Sequence, residues 1–494
     1  RNGAAALQLP SAQPDAMGVD AGTLEAVAAR LRAQVDAGRL PGVMTCVIKE
    51  GRVVHFDAYG SADVCARSPL QADTLFRLYS QTKPITVVAA FQLMERGLVA
   101  MQDPVAKYIP SFAHVIVESK GGSSTKPAAR SLTVRDLLAH TSGVGFGPGF
   151  FYEPENDYEQ VYVDVVGKVD RGEICSLADW CDAIAKLPLR FQPGADWGYG
   201  YSSDILGRVV EVASGCALDD YLKKEVLGPL GMSDTFFAVP ADRAARLSAL
   251  YKREPWDGVG RSVKFVTIDP GGSGLTSDEA RRVLDIAPDG LGGRAPSSSV
   301  FLEGRASRVV QGGGCICSVA GGLVSSLRDY ARFGMMLLND GELGGVRVLR
   351  PESVHLLARD WLNDFTEERR EEPLWVWGTP GIGFSPLGQI GVEAADADRR
   401  VVGSQLHTVH WGGAGGSGYM LNWPHRLLVL TYTGCAYDTK TQKAMWRAAF
   451  GALRSGGAKV GRKRPLVETE AKGRSATSAK AAERGLRAGR AALL

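Results

Sequence analysis

The stretch FRLYSQTKPIT, residues 76 to 86, sets the hydroxyl of Ser80 three residues before the amine of Lys83 in mostly apolar company. Side chains three apart share one face of a helix, so the two groups can meet there. Pro84 sharpens the reading, because proline is tolerated in a helix's first turn, where N–H groups lack partners anyway. The pattern predicts a helix that begins close to Ser80. Its free N–H groups and positive dipole end then lie beside the hydroxyl, which suits a nucleophile next to an oxyanion site. Ser and Lys are common residues, however, and the pair alone proves little.

Outward from this stretch the chain changes character. Upstream, DAGTLEAVAARLRAQVDAG has Leu24, Val27, Ala28 and Leu31 at helical spacing, closed by Gly38. GVMTCVIKEGRVVHFDAYG then gives two β-rich runs around Lys49-Glu50-Gly51-Arg52, a hairpin signal. Downstream, TVRDLLAHTSG, SLADWCDAIAKL, SDILGRVVEVASG and GGLVSSLRDYARFGMMLLNDG read as helices. Residues 144 to 174 and 253 to 311 read as long irregular segments, and segments of that length in a compact domain are usually functional. Strand patterns return in PLWVWGTPGIGF, SQLHTVHWGG, GYMLNW and RLLVLTYTG, followed by a last amphipathic helix to about Arg454.

Strands at both ends and helices between them predict an α+β fold. One antiparallel sheet is built from N- and C-terminal strands and flanked by helices, and a mainly helical subdomain, about residues 100 to 320, is inserted between its parts. A ligand pocket belongs in the cleft between the two. Residues 1 to 17 read as a flexible leader, 18 to 454 as the catalytic domain, and 455 to 494 as a basic, low-complexity, disordered tail.

The chain has 494 residues and a net charge of +3. Ten Lys or Arg against three Glu give the tail +7, leaving −4 on the rest. The main body is therefore not built to bind a polyanion such as nucleic acid. No apolar run reaches the roughly 20 residues that span a bilayer. The eight cysteines, Cys46, Cys65, Cys175, Cys181, Cys216, Cys315, Cys317 and Cys435, lack a framework spacing. They fit free thiols in a reducing, cytoplasmic compartment, although a chain that begins with Arg leaves room for a lost targeting peptide. Neither Cys315-Ile316-Cys317 nor His407 with His410 supplies four ligands at a familiar spacing, so no metal is expected.

A serine nucleophile needs a base. The G-x-S-x-G elbow is absent. His140 in LLAHTSG follows an amphipathic helix and can cap it as readily as act in catalysis. A lysine can be the base when burial or a second cation lowers its pKa, and a nearby phenol can share the proton traffic. FQPGADWGYGYSSDILG offers two phenols, Tyr199 and Tyr201, and spacing alone does not choose between them. In HWGGAGGSGYM, Gly412 and Gly413 stand where a backbone can approach a ligand closely.

Three segments in order, Ser80-x-x-Lys83, a tyrosine after Pro193-Gly194, and Trp411-Gly412-Gly413, resemble the serine β-lactamase and penicillin-binding-protein superfamily. Within it the likeness is greatest to class C-like esterases and acyltransferases, over about residues 18 to 454. The resemblance implies Ser80 as acylated nucleophile and Lys83 as its base. Counting from Pro193-Gly194 and back from Asp204-Ile205-Leu206-Gly207 puts Tyr199 on the catalytic phenol and Tyr201 on the neighbouring motif position, with Tyr201 as fallback. It implies an oxyanion hole from the N–H groups of Ser80 and Ala414, and substrate contacts from Tyr201, Trp411, Gly412 and Gly413. No cofactor is implied. Lactamases carry a lysine where Trp411 stands, so the expected substrate is a small, uncharged ester or thioester. A lactamase, a D-amino-acid peptidase and a non-catalytic binding protein on the same fold are the alternatives.

Overall fold

The computed structural model describes residues 6–119, 124–146, 157–171, 173–255, 263–269, 322–363, 373–392 and 407–454. The basic tail and the Cys315–Cys317 pair lie outside the described residues.

Strands β1 (Gly42–Lys49) and β2 (Arg52–Asp63) form the hairpin that the sequence predicts. Glu50 (φ 52°) and Gly51 (φ 75°) both sit in the left-handed region, and a turn of that kind matches the twist of the strands it joins. Strands β3 (Ser68–Pro69), β4 (Ile382–Ser385), β5 (Gly388–Gly391), β6 (Thr408–Gly413), β7 (Ser417–Asn422) and β8 (Leu427–Tyr432) complete an eight-stranded sheet. Its order is β4-β5-β6-β7-β8-β1-β2-β3, every neighbouring pair antiparallel. The two ends of the chain meet between β8 and β1, where Met44 faces Tyr432 and Lys49 faces Leu427. The fold is thus the α+β arrangement of N- and C-terminal strands with helices.

Around the sheet lie α1 (Ala21–Asp36), α2 (Lys83–Glu95), α3 (Val134–Ala139), α4 (Asp157–Asp170), α5 (Leu177–Ile184), α6 (Ser202–Ser214), α7 (Leu327–Leu338) and α8 (Thr439–Gly451). Successive strand residues point to opposite faces, and both faces are covered. Val43, Val47, Val54 and Val429 pack with Leu24, Val27 and Leu31 of α1 and Met445 and Trp446 of α8. Met44, Cys46, Ile48, Leu428 and Leu430 belong to the larger core shared with α2 and α7. Each such aliphatic side chain contributes about 1.5–3 kcal/mol when fully buried. Helix α2 is buried from Lys83 to Leu93, and its apolar surface on all sides marks it as the central helix. It packs against α6. A short ladder of Leu75–Arg77 against Val324–Ser326 ties the residues before Ser80 to those entering α7.

Three local expectations change. The leader over residues 1 to 17 is not free over its described part: Leu7 is fully buried and Leu9 is 7% exposed. Backbone bonds of Ala12 N–H to Val53 O (3.0 Å) and Val53 N–H to Pro10 O (2.8 Å) pin it to β2. The segment 144–174, read as irregular, contains α4, whose Tyr162, Val165, Val166 and Val169 are buried. The segment beginning at residue 253 includes part of a hairpin, Leu250–Pro255 against Val263–Asp269.

His410 on β6 is 7% exposed and packs 4.8 Å from the Trp446 ring. Burial, with the nearby charge of Lys443, pushes its pKa down to about 4. In the unfolded chain the group titrates near its ordinary value, so stability is full above about pH 6.5 and is lost as pH falls toward 4. Urea denaturation at pH 7.5 and pH 5 should show a loss of which about 2 kcal/mol comes from this imidazole. A His410→Gln protein should lose correspondingly less, and an unchanged difference would refute the assignment.

Candidate active site

The site begins with a strained backbone. Tyr79, immediately before Ser80, has φ 47°, a left-handed conformation that costs an aromatic residue about 1–3 kcal/mol. Neighbours hold it. Leu78 N–H donates to Leu323 O at 2.8 Å, Leu323 N–H donates to Thr82 Oγ1 at 2.9 Å, and Tyr330 Oη donates to Gln81 O at 3.1 Å. Residues Tyr79–Thr82 make one tight turn, and Lys83, whose N–H donates to Ser80 O, opens α2 with Pro84 in its first turn. The helix therefore starts where the Pro84 argument puts it, and Ser80 stays partly exposed at its mouth while Lys83 is 4% exposed.

The end of β6 and the turn after it lie against the same segment. A Cβ on Gly413 would fall 1.9 Å from Leu78 O, and one on Gly415 would fall 3.0 Å from Arg77 O and 3.1 Å from the Tyr79 ring. Only glycine permits that approach. Ala414, between them, is held by Tyr437 N–H, which donates to Ala414 O at 3.0 Å. Gly412 is packed against Ser417 O and the Gln442 side chain.

Tyr199 reaches in from the loop before α6. Its Oη donates to Ser80 Oγ at 2.6 Å, and Lys83 Nζ stands 4.9 Å from the centre of its ring. Nζ lies over the face of the phenol, where a proton on the amine favours any negative charge the ring acquires. Trp411, half-buried, packs 5.5 Å from the Tyr199 ring and 5.8 Å from Phe384.

Tyr201 packs elsewhere. It is 1% exposed, edge-on to Trp180 at 5.1 Å and packed against Phe146 (5.1 Å) and Tyr162 (6.1 Å). The intervening Gly200 explains the separation: a Cβ there would meet Val144 O at 2.0 Å, so the crossing chain turns Tyr199 and Tyr201 to different surroundings.

His140 lies beside Tyr199 as well. It terminates α3 in the left-handed region (φ 54°) and is 2% exposed. Its ring stacks on Tyr199 at 5.2 Å and 18°, and meets Phe384 edge-on at 5.2 Å. Its carbonyl accepts Gly198 N–H at 3.0 Å. Burial, with the charge of Lys83 adding to it, pushes its pKa down to about 3, so the imidazole is neutral at ordinary pH. Phe146, Trp377 and Phe384 complete the surroundings of Tyr199, His140 and Trp411 and were not singled out from sequence. The clustering of tryptophans in PLWVWG was the available signal for one of them.

Among the described residues no group of three or more His, Cys, Asp or Glu side chains is placed to hold a metal ion, and no helix is long and apolar enough to cross a membrane. The described cysteines Cys46, Cys65, Cys175, Cys181, Cys216 and Cys435 are free thiols.

Comparison with known proteins agrees with this architecture. The family model described as Beta-lactamase matches residues 27–454. Protein Rv1367c of Mycobacterium tuberculosis is 32% identical over 411 residues, 82% of this chain and 88% of that protein. Esterase EstB of Burkholderia gladioli is 29% identical over 438 residues, 87% of this chain and 95% of the esterase. The solved structure of EstCE1, titled a hydrolase with promiscuous acyltransferase activity, superposes with a TM-score of 0.62 at 22% identity, covering 87% of this chain and 99% of its own, a likeness of fold. The chain belongs to the Beta-lactamase family.

Proposed function

We propose that the protein is a serine hydrolase acting on uncharged carboxylic esters or thioesters through an acyl-Ser80 intermediate. The observation that carries this reading is the 2.6 Å hydrogen bond between Tyr199 Oη and Ser80 Oγ, with Lys83 Nζ 4.9 Å from the centre of the phenol ring. With Lys83 as the neutral amine, the Ser80 proton passes by way of Tyr199 Oη, whose own proton goes to Lys83 Nζ, as Oγ bonds to the carbonyl carbon. The carbonyl oxygen becomes an oxyanion, for which the N–H groups of Ser80 and Ala414 are the donors. Collapse breaks the bond to the leaving alcohol or thiol, which receives the proton. Water or an acceptor alcohol then attacks the acyl-enzyme and returns Ser80 Oγ–H. That EstB is an esterase and EstCE1 a hydrolase with promiscuous acyltransferase activity supports this class of chemistry. Trp411 supports the choice of substrate, because its ring offers no charge to a carboxylate.

Ser80→Ala should abolish both p-nitrophenyl ester turnover and labelling by a fluorophosphonate probe; persistence of either sinks the assignment. Tyr199→Phe should lower kcat by about 10²- to 10⁴-fold. Tyr201→Phe, measured per folded molecule, should stay within about threefold, since removal of a hydroxyl from a packed ring leaves the packing in place. A reversed order would move the phenol assignment to Tyr201. Because His140 is neutral down to about pH 3, the acid limb of the kcat/KM profile does not belong to it. A His140→Asn enzyme, which keeps a residue tolerant of the left-handed backbone, should turn over more slowly with the midpoint of that limb unmoved. A shifted midpoint would make His140 the base in place of Lys83.

A further inference from the structure

The residue that follows Ser80 is a buried amide. Gln81 is fully buried while Ser80 is partly exposed, so one tight turn directs adjacent side chains to the interior and to the mouth of the site. The backbone of Gln81 is held on both sides: its N–H donates to Leu78 O at 3.0 Å, and its carbonyl accepts from Tyr330 Oη at 3.1 Å. The side chain reaches further. Nε2 donates to Tyr432 Oη at 3.1 Å, whereas Oε1, equally enclosed, has no hydrogen-bond partner. An amide buried with one end unsatisfied costs stability, and an apolar pair of similar shape, leucine beside phenylalanine, carries no such cost.

The attachment of Tyr432 gives this bond its consequence. Tyr432 lies on β8 opposite Ser417 of β7, and Ser417 lies opposite Gly413 at the end of β6. The Tyr432 ring also meets Phe76 edge-on at 5.1 Å, in the short ladder that precedes the turn. The Gln81–Tyr432 bond therefore ties the turn Tyr79–Thr82 to the strands from whose end Ala414 follows. A second link between the two, from Ser417 Oγ to Leu78 O, is longer at 3.4 Å. The N–H groups assigned to the oxyanion come one from each side of this junction, Ser80 from the turn and Ala414 from the strand end. Two main-chain donors on separate elements stabilise a charge that develops at one point only while the spacing between them is kept.

We propose that Gln81 is a positioning residue: its amide, held on Tyr432, sets the spacing between the N–H of Ser80 and the N–H of Ala414, and through that spacing the stabilisation of the oxyanion. The inference rests on the acyl-Ser80 reading. Gln81 is fully buried and meets no substrate, so its effect falls on the transition state and not on the binding of the ester. The unsatisfied Oε1 is the stability given up for that effect.

The test compares the unaltered protein with Gln81→Leu, Tyr432→Phe and the double variant. Active sites are counted by fluorophosphonate labelling carried to completion, so that unfolded molecules drop out. With p-nitrophenyl acetate, Gln81→Leu should lower kcat per labelled site about tenfold, less than the loss of a whole donor because both N–H groups remain, and leave KM within about twofold. Phenylboronic acid forms a tetrahedral adduct on Ser80 Oγ that puts a boron-bound oxygen where the oxyanion develops, and its inhibition should weaken by a similar factor. Tyr432→Phe should behave in the same way, and combining the two should add no further loss.

The double variant separates positioning from plain support. With both partners apolar it should melt no lower than the unaltered protein, yet still turn over about tenfold more slowly. It also carries the test where Gln81→Leu alone, which strands the Tyr432 hydroxyl, fails to fold. Undiminished kcat per labelled site in the double variant overturns the proposal, as does slow turnover with boronate inhibition intact. A double variant that loses melting temperature and activity together overturns it as well. An unaltered protein whose Ser80 is never labelled discards the acyl-Ser80 reading and this inference with it, whereas full labelling with undiminished kcat in the variants discards this inference alone.

Discussion

The approach of Gly413 to the Leu78 carbonyl is the constraint on which the rest of the site depends. A strand end and the turn into α2 come so close that no side chain fits between them. That closeness sets the turn around Ala414 against the residues that lead into Ser80. The strain at Tyr79 follows from it, because the chain must reverse sharply after Leu78 to enter α2 rather than continue along the sheet. A backbone so tightly determined leaves little freedom to Ser80, which suits the proposed role, because a nucleophile that need not reorganise is one of the means by which a site accelerates a reaction.

The second requirement is a phenol delivered from the helical half. Tyr199 arrives on a loop shaped by contacts that touch no reacting atom: His140 at the end of α3, whose carbonyl receives Gly198, and Val144, whose carbonyl leaves room only for Gly200. The capping box of α3, in which Thr133 and Asp136 satisfy each other's backbone, and the bidentate pair of Arg130 with Asp136 at 2.6 and 2.8 Å hold that helix in place. The chemistry assigned to Ser80 is thus assembled where sheet and helical region meet, with Lys83 the group common to both.

Legibility in the sequence followed the range of the interactions. The Ser80–Lys83 pair, the hairpin at Glu50-Gly51 and the alternation of Val43, Met44, Cys46 and Val47 are local signals, and they were readable. Tyr199 and Tyr201 carry the same chemistry two residues apart, and what separates them is a carbonyl more than fifty positions upstream. Local composition holds no trace of that. Helix α4 was missed because its valines favour strands as single residues, although Val161, Val165 and Val169 repeat at a helical interval. The described leader was missed because only Leu7 and Leu9 announce burial, and their partner strand lies some forty residues away. Trp377 stood within a strand-like apolar run, and nothing in its letters reveals a left-handed backbone.

The pairing of β1 with β8 also bears on how the molecule is made. Met44 and Tyr432 are neighbours in space but nearly four hundred residues apart, and the turn before α1 touches the chain again at Leu453 and Arg454. During synthesis β1 and β2 emerge early and can close their hairpin at once. The free edge of β1 nevertheless waits for β8, and its valines lack α8 until almost the whole domain has left the ribosome. A long-range pairing of this kind is slow to form and leaves an apolar strand edge open meanwhile. The nascent protein therefore passes through a stage in which the apolar edge of β1 is open to other chains, and the length of that interval bears on yield along with the stability of the finished sheet.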